Sequence, residues 1–301
     1  MVTLTTAGKG LLGGADRALG HAGDLLARER ARPVVATGFR PLDALLPAGG
    51  VRPGSLVEWL AEGDAGGGGA ASLAFAVACR LAAASGGEAS EQGRPRTIVV
   101  VDRTGWFHPP AVLPWLGDGR RLVVARPARD DDEIWTIDQA LRCTGVAAVV
   151  AWPRARRAGQ VRGARSAAST QQWSVAMRRW QLAAAGSGAV GLFVRPRTVL
   201  GEPSWAEARI AVMPQAGGTL TERRLRLVLA GGSWEAAVGD GQRTADVVLD
   251  VARGTATVPR SGSAGHWSAA GANAASMSVL PVPAAVGDPI RERSGVACRA
   301  S

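Results

Sequence analysis

The chain has 301 residues and a formal net charge of +10, and 47% of its residues are hydrophobic. No uninterrupted apolar run reaches the ~18 residues that a transmembrane helix needs, and we expect no signal peptide around Lys9. Three cysteines (Cys79, Cys143 and Cys298) stand far apart, which favours a reducing compartment over a metal site. We therefore expect a cytoplasmic protein with no membrane contact, folded as one large domain or two small ones.

Arginine supplies almost all of the positive charge, since Lys9 is the only lysine among 35 basic residues. A field of this sign attracts nucleic acid and acidic protein surfaces. The preference for arginine also fits a GC-rich coding sequence. The composition therefore leaves open whether the chain contacts DNA or only has a basic surface.

Apolar residues recur at three- and four-residue spacing over residues 11–32, which predicts an amphipathic helix that Pro33 ends. Two interpretations remain open: the helix packs on its own core, or it is an arm that docks on a neighbouring protein. In the second case the contact residues are Leu12, Leu19, Leu25 and Leu26. We predict an arm over residues 1–33, a core domain over 34–253 and a flexible Ala/Gly/Ser/Pro-rich tail over 254–301.

A glycine-rich segment follows a turn-rich stretch and a short predicted strand, Ser55–Leu60, and precedes an Ala-rich helix ending at Ala84. Strand, glycine loop and helix are the layout of a phosphate-binding loop. The segment comprises Gly63, Gly66, Gly67, Gly68, Gly69, Ala70, Ala71 and Ser72. A functional loop has Gly-Lys-Ser/Thr where this chain has Gly-Ala-Ala, with the serine one position late. We therefore predict a degenerate loop that has lost its nucleotide.

Four apolar runs predict parallel strands covered on both faces: Thr97–Asp102, Arg121–Ala125, Ala147–Trp152 and Ala189–Val194. Helices are expected between them, over Asp130–Arg142 and Ser169–Ala185. Two later segments are expected to form an antiparallel pair, followed by a weaker strand: Trp205–Val212, Arg223–Leu229 and Asp246–Val251. This order predicts an α/β fold, with a mainly parallel sheet flanked by helices and antiparallel strands at one edge.

The chain offers little metal or catalytic chemistry. The strand ending at Trp152 is followed by Pro153 and carries no carboxylate that could hold magnesium. The acids at 130–133 look like paired carboxylates, but they are explained by the positive end of a helix dipole. His108 has no spaced partner, so we interpret it as structural. We expect no metal site and no catalytic residue.

A basic segment follows the same strand, with five arginines in twelve residues and no acid. They are Arg154, Arg156, Arg157, Arg162 and Arg165. A mobile basic loop suits contact with a phosphate backbone or with a partner protein, and a solvated surface loop is the alternative.

The stretch from Thr37 to Glu58 (T-G-x-x-x-L-D-x-x-L, a Gly-Gly pair, then G-x-x-x-E) resembles the start of the ATPase core of RecA-type recombinases. The stretch from Arg121 to Arg195 resembles the ImuA family. The similarity lies in Trp135, the acid-Gln-Ala-Leu-Arg-Cys run that ends at Cys143, the Ala-Trp strand end and the closing Arg-Pro.

This resemblance implies a RecA-like fold with a degenerate P-loop and a role that is not enzymatic. ImuA proteins are RecA-like accessory factors of SOS mutagenesis, the damage-induced form of translesion DNA synthesis. The implied partners are ImuB, a Y-family polymerase relative without catalytic residues, RecA and, indirectly, an error-prone C-family polymerase. No cofactor is implied.

The resemblance also assigns positions to two segments of the chain. The arginine-rich segment stands where RecA-like proteins have their first DNA-binding loop, so single-stranded DNA is a further candidate partner. The helix at 11–32 stands where RecA-like filaments have a docking helix. Two alternative functions remain: an ATP-binding regulator of RecA type in which another basic residue enters the loop, and a cell-division inhibitor similar to SulA.

Overall fold

The computed structural model describes residues 33–63, 68–85, 96–117, 121–153, 167–232 and 243–257. These residues form one nine-stranded sheet with helices on both faces. The strands are β1 Leu56–Ala61, β2 Thr97–Val101, β3 Leu122–Ala125, β4 Val146–Ala151, β5 Val190–Pro196, β6 Ala208–Pro214, β7 Glu222–Gly231, β8 Thr244–Asp250 and β9 Thr255–Thr257. The helices are α1 Arg40–Leu45, α2 Ala70–Ala84, α3 Leu113–Leu116, α4 Asp130–Arg142 and α5 Ala167–Ser187.

The strand order is β3-β2-β4-β5-β1-β6-β7-β8-β9. All pairs from β3 to β6 are parallel, and the pairs from β6 to β9 are antiparallel. The prediction of an α/β fold with a mainly parallel sheet, flanking helices and antiparallel edge strands is therefore confirmed. The antiparallel pairing of β6 with β7 is confirmed as well, and β6 also pairs in parallel with β1.

The two faces of the sheet bury separate apolar clusters. Along β1, Val57 and Trp59 pack into the cluster that contains the buried side of α2, whereas Leu56 packs into the cluster of α4 and α5. This alternation follows from the two-residue period of a strand. Both faces are covered, which explains why β1, β4 and most of β5 are buried along their length.

The segment between β8 and β9, at the antiparallel end of the sheet, packs against α3. The indole Nε1 of Trp115 donates a hydrogen bond of 3.0 Å to the carbonyl oxygen of Val251. The following turn passes so close that a Cβ on Gly254 would lie 2.5 Å from the Trp115 ring. β9 thus joins the sheet beyond residue 253, where we expected the core to end. The domain boundaries remain a prediction, because the arm and the tail from residue 258 onward lie outside the described residues.

Several local predictions are wrong. β3 is an edge strand, not a covered one, and its Val123 is 50% exposed. The turn-rich stretch before β1 contains helix α1. The loop predicted between β2 and β3 contains a 3-10 turn, Pro109–Ala111, and then α3. The two short helices escape a periodicity search, since four to six residues do not complete two helical turns.

Among the described residues, no helix combines the length and the apolar character that crossing a membrane requires.

Candidate functional site

The glycine loop joins the carboxyl end of β1 to the start of α2, at the edge where open α/β sheets bind their ligands. Gly69 is the N-cap of α2, and no side chain caps that helix start. Gly68 and Gly69 both have positive φ angles, 69° and 94°, which glycine adopts without strain. Gly66 and Gly67 lie outside the described residues. The described residues place a strand before the glycine segment and a helix after it, and the phosphate-binding loop itself remains a prediction.

Apolar side chains from the β6–β7 hairpin lie directly against this loop. A Cβ on Gly68 would be 3.2 Å from Cδ of Pro214, and one on Gly69 would be 2.8 Å from Cδ2 of Leu225. Ala70, at the lysine position of a functional loop, is fully buried. Ala71 and Ser72 are half-buried. The helix start thus faces hydrocarbon and lacks the charged side chain that would hold a phosphate.

An aromatic cluster occupies the same edge of the sheet beside α2. Trp152, the first residue after β4, is buried. Its ring centroid lies 6.2 Å from that of Phe107, which lies 5.4 Å from that of Phe75 on α2. Trp115 extends the cluster at 6.0 Å from Phe75. The end of β4, where an acid would hold magnesium in a nucleotide site, therefore contributes an apolar ring to the core.

Asp102, directly after β2, is an acid at this edge that accepts from two backbone N–H groups. It is completely buried. Its carboxylate accepts hydrogen bonds from the backbone N–H groups of Trp106 and Phe107, at 3.1 and 2.9 Å, and from the hydroxyl of Thr104. Arg126 lies 3.9 Å away. Asp102 therefore fixes the loop that places Phe107 in the aromatic cluster. The sequence did not predict this role, because it indicated only that a strand ends at this residue.

Arg103, the next residue, contacts two of the acids at the start of α4. Its guanidinium lies 3.2 Å from Asp130 and 3.2 Å from Glu133. Asp132 pairs instead with Arg129, and this hydrogen bond lowers the pKa of the Asp132 carboxyl and raises the pKa of the Arg129 guanidinium. Within the part of the chain that the structure describes, no group of three His, Cys, Asp or Glu side chains is arranged to hold a metal ion.

A second charged site lies inside the sheet, around Glu58 of β1. This carboxylate is fully buried and accepts from two arginines, Arg195 of β5 at 2.8 Å and Arg209 of β6 at 2.7 Å. Arg195 also donates to Glu202 at 2.7 Å, and its guanidinium stacks 4.0 Å from the Trp173 ring. Arg209 also donates three hydrogen bonds to backbone carbonyls, those of Val199, Leu200 and Glu202.

The glutamate that ends the G-x-x-x-E pattern is therefore a structural charge at the centre of the sheet. Its position between two neighbouring strands explains why an acid occurs in an otherwise apolar β1. The G-x-x-x-E pattern drew attention to Glu58. No pattern indicated its partners Arg195 and Arg209, because they lie on other strands.

Two sets of predicted contact residues fall outside the described residues. The first is the arginine-rich segment with Arg154, Arg156, Arg157, Arg162 and Arg165. The second is the predicted docking helix with Leu12, Leu19, Leu25 and Leu26. The structure does show where the arginine segment is attached, because it leaves the carboxyl end of β4 through Pro153 and returns into α5.

Comparison with known proteins gives no match: neither a protein-family model nor a curated protein is similar to this chain.

Proposed function

We propose that this chain is a RecA-like, non-enzymatic adaptor of damage-induced translesion DNA synthesis, as the resemblance to the ImuA family implies. It binds a catalytically inactive Y-family polymerase homologue and RecA, and through them it serves an error-prone polymerase. It neither hydrolyses nor needs ATP. The chain acts in the cytoplasm as a protein-binding platform.

The observation that carries this proposal is the state of the glycine loop. Gly68 and Gly69 of this loop lie against Pro214 and Leu225. Its lysine position holds a buried alanine. The aromatic ring of Trp152 packs where an acid would hold magnesium. Losing several charge-assisted contacts, each worth about 1.5–3 kcal/mol, leaves too little affinity to hold a triphosphate.

The strand order supports the same proposal at a coarser level. The glycine loop follows a central parallel strand, β1, with parallel neighbours on both sides. An antiparallel extension follows at one edge. Both features are compatible with a RecA-like core, and such a core without its nucleotide retains large surfaces for binding proteins.

Two measurements test the proposal together. Deleting the gene from its natural host is expected to abolish damage-induced mutagenesis, and the purified full-length chain is expected to retain the inactive polymerase homologue and RecA in pull-down experiments. Calorimetric titration with ATP and magnesium is expected to give no micromolar affinity.

The alternatives give different results. Micromolar ATP binding would favour the ATP-binding regulator. Loss of damage-induced filamentation with unchanged mutagenesis would favour the division inhibitor. Unchanged mutagenesis together with no captured polymerase homologue would overturn the adaptor proposal altogether.

A further inference from the structure

The outer surface of helices α4 and α5 carries large apolar side chains that nothing in the described structure covers. Trp135 on α4 is 62% exposed, and Val175 and Leu182 on α5 are 57% and 55% exposed. Each has buried neighbours on the inner side of its helix, such as Ile137 and Trp180. We call these three residues the α4–α5 patch.

The two helices run side by side in the same direction, which brings the patch residues onto one surface. Trp180 Nε1 donates to the carbonyl of Ile134, and further along Ser187 Oγ donates to the carbonyl of Leu141. Between these contacts, Arg179 lies 3.2 Å from Asp138.

Trp135 stands three residues before Asp138 on α4. On α5, Val175 stands four residues before Arg179, and Leu182 stands three residues after it. All three are therefore within one helical turn of the bridge that joins the helices. The seven-residue step from Val175 to Leu182 covers about two turns, or ~10 Å, which matches the apolar stripe of a partner helix.

The charge around the patch is positive. The buried Asp138 is shared by Arg142 and Arg179, so two guanidinium groups face one carboxylate. The hydrogen bond with Asp138 raises the pKa of Arg142 above its ordinary value. Arg178, on the exposed side of α5, adds a third positive charge.

Four of the five acids of α4 lie in its first turn, and the fifth is the buried Asp138. Asp130 and Glu133 pair with Arg103, and Asp132 pairs with Arg129. Asp131 is exposed and stands four residues before Trp135. The remainder of the patch is bordered by arginines.

We infer that the α4–α5 patch is the docking site of an amphipathic helix with an acidic polar face, contributed by another protein. The apolar side chains would accept its leucine stripe, and the arginines would pair with its carboxylates. This inference does not rest on the proposed function, since any partner with this chemistry satisfies it.

Two other occupants fit the patch less well. The chain's own segment 11–32 carries four arginines against three acids, so its charge has the same sign as the patch. Single-stranded DNA would pair with the arginines and stack on Trp135, but it gives no reason for the exposed Val175 and Leu182.

Fluorescence anisotropy with labelled synthetic peptides tests the inference on the full-length protein. One peptide of about 18 residues has leucine at helical spacing and glutamate elsewhere, and a matched peptide has lysine in place of glutamate. We expect the acidic peptide to bind and the basic one not to bind. Leu182→Glu and Trp135→Ala should each weaken binding by about tenfold or more.

Leu220→Glu is the matched control, because Leu220 is also exposed and lies in the β6–β7 connection. It should leave the affinity for the acidic peptide unchanged, and thermal melting should show that all variants are folded. Equal binding of both peptides, no binding of the acidic peptide by the wild type, or no effect of Leu182→Glu would overturn the inference. It would also fail if single-stranded DNA bound the wild type and lost affinity on the Leu182→Glu change, since the patch would then bind nucleic acid.

Discussion

At the scale of single residues, the charges of Glu58, Arg195 and Arg209 depend on one another. All three side chains are nearly inaccessible to water, and the carboxylate uses each of its oxygens for a different guanidinium. A buried pair of this kind gains little over a well-packed apolar alternative, but the loss of one member leaves a buried charge without its partner. The network therefore makes β1 intolerant of change on the face that it shares with α5.

We predict that Glu58→Gln lowers the free energy of unfolding by about 3–5 kcal/mol, because the buried Arg209 loses its counter-charge and Arg195 retains only Glu202. Urea unfolding followed by circular dichroism measures the change. Asp246→Asn is the matched control: Asp246 pairs with Arg226 at 2.8 Å, but both side chains are about half exposed. Its loss should cost less than about 1 kcal/mol. Equal costs for the two variants would contradict a stabilising role of the Glu58 network.

At the scale of elements, the packing around the glycine loop gives a prediction about restoring the Lys-Thr pair of a functional loop. Ala70 is fully buried, and its neighbour Gly69 lies against Leu225. We predict that Ala70→Lys combined with Ala71→Thr creates no micromolar site for ATP and magnesium, because the lysine must leave its enclosed position and β4 still ends without an acid. The double variant should also melt at a lower temperature than the wild type, since a cation is forced toward an apolar environment.

Calorimetric titration checks this outcome, with Ala71→Thr alone as the control for folding. A micromolar dissociation constant in the double variant would contradict this prediction. It would mean that the wild type fails to bind nucleotide only because the lysine and threonine are missing, and not because of the packing above the loop.

The arginine-rich segment after β4 gives a second prediction at this scale. Replacing its five arginines by alanine should weaken binding to single-stranded DNA and flatten the dependence of affinity on salt. Each lost phosphate contact lowers the slope of log K against log salt by about 0.7 for a single strand. Filter binding at several salt concentrations measures both effects.

A control removes the same number of charges elsewhere, at five exposed arginines: Arg129, Arg197, Arg223, Arg226 and Arg253. If both quintuple variants lose the same slope, the protein attracts DNA through its overall charge and not through this segment.

Prediction from the sequence succeeded for long elements and failed for features that several segments share. The sequence alone predicts β2, β4 and α4, because the apolar pattern of each element lies within one continuous segment. The sequence of β3 has the same apolar character as a central strand, although only one of its edges is paired. The partners of Glu58 lie 137 and 151 residues away, so only folding brings them together. For the same reason the contacts of Gly68 and Gly69 with Pro214 and Leu225 could not be predicted from the sequence.

At the scale of the whole molecule, the described core begins with Val35, which forms a bridge to Val51 through two hydrogen bonds of 2.9 Å. The sheet and its two apolar clusters are built from residues that follow this point. We predict that deleting residues 1–32 leaves a soluble protein whose stability changes by less than about 1 kcal/mol, or a few degrees in melting temperature. The shortened chain should lose binding to RecA or to a second copy of itself.

Differential scanning calorimetry measures the stability of the shortened and full-length chains, and a pull-down measures their binding to RecA. The control is Leu12→Ala, Leu19→Ala, Leu25→Ala and Leu26→Ala in the full-length chain, which should lose the same binding. An insoluble or strongly destabilised deletion would show that the segment packs on its own core.

The place of β1 in the sheet has a consequence for how the protein is made. β1 is synthesised before the other strands of the sheet, yet its two neighbours, β5 and β6, are among the later ones. At about 5–20 residues per second, a ribosome needs roughly 7–27 s to add the 137 residues between Glu58 and Arg195. During that time the nascent chain has an apolar strand, with an acid in its middle, that has no partner to pair with. We expect β1 to stay unpaired until β5 and β6 have been synthesised, which makes this chain a natural client for chaperones that shield emerging polypeptides.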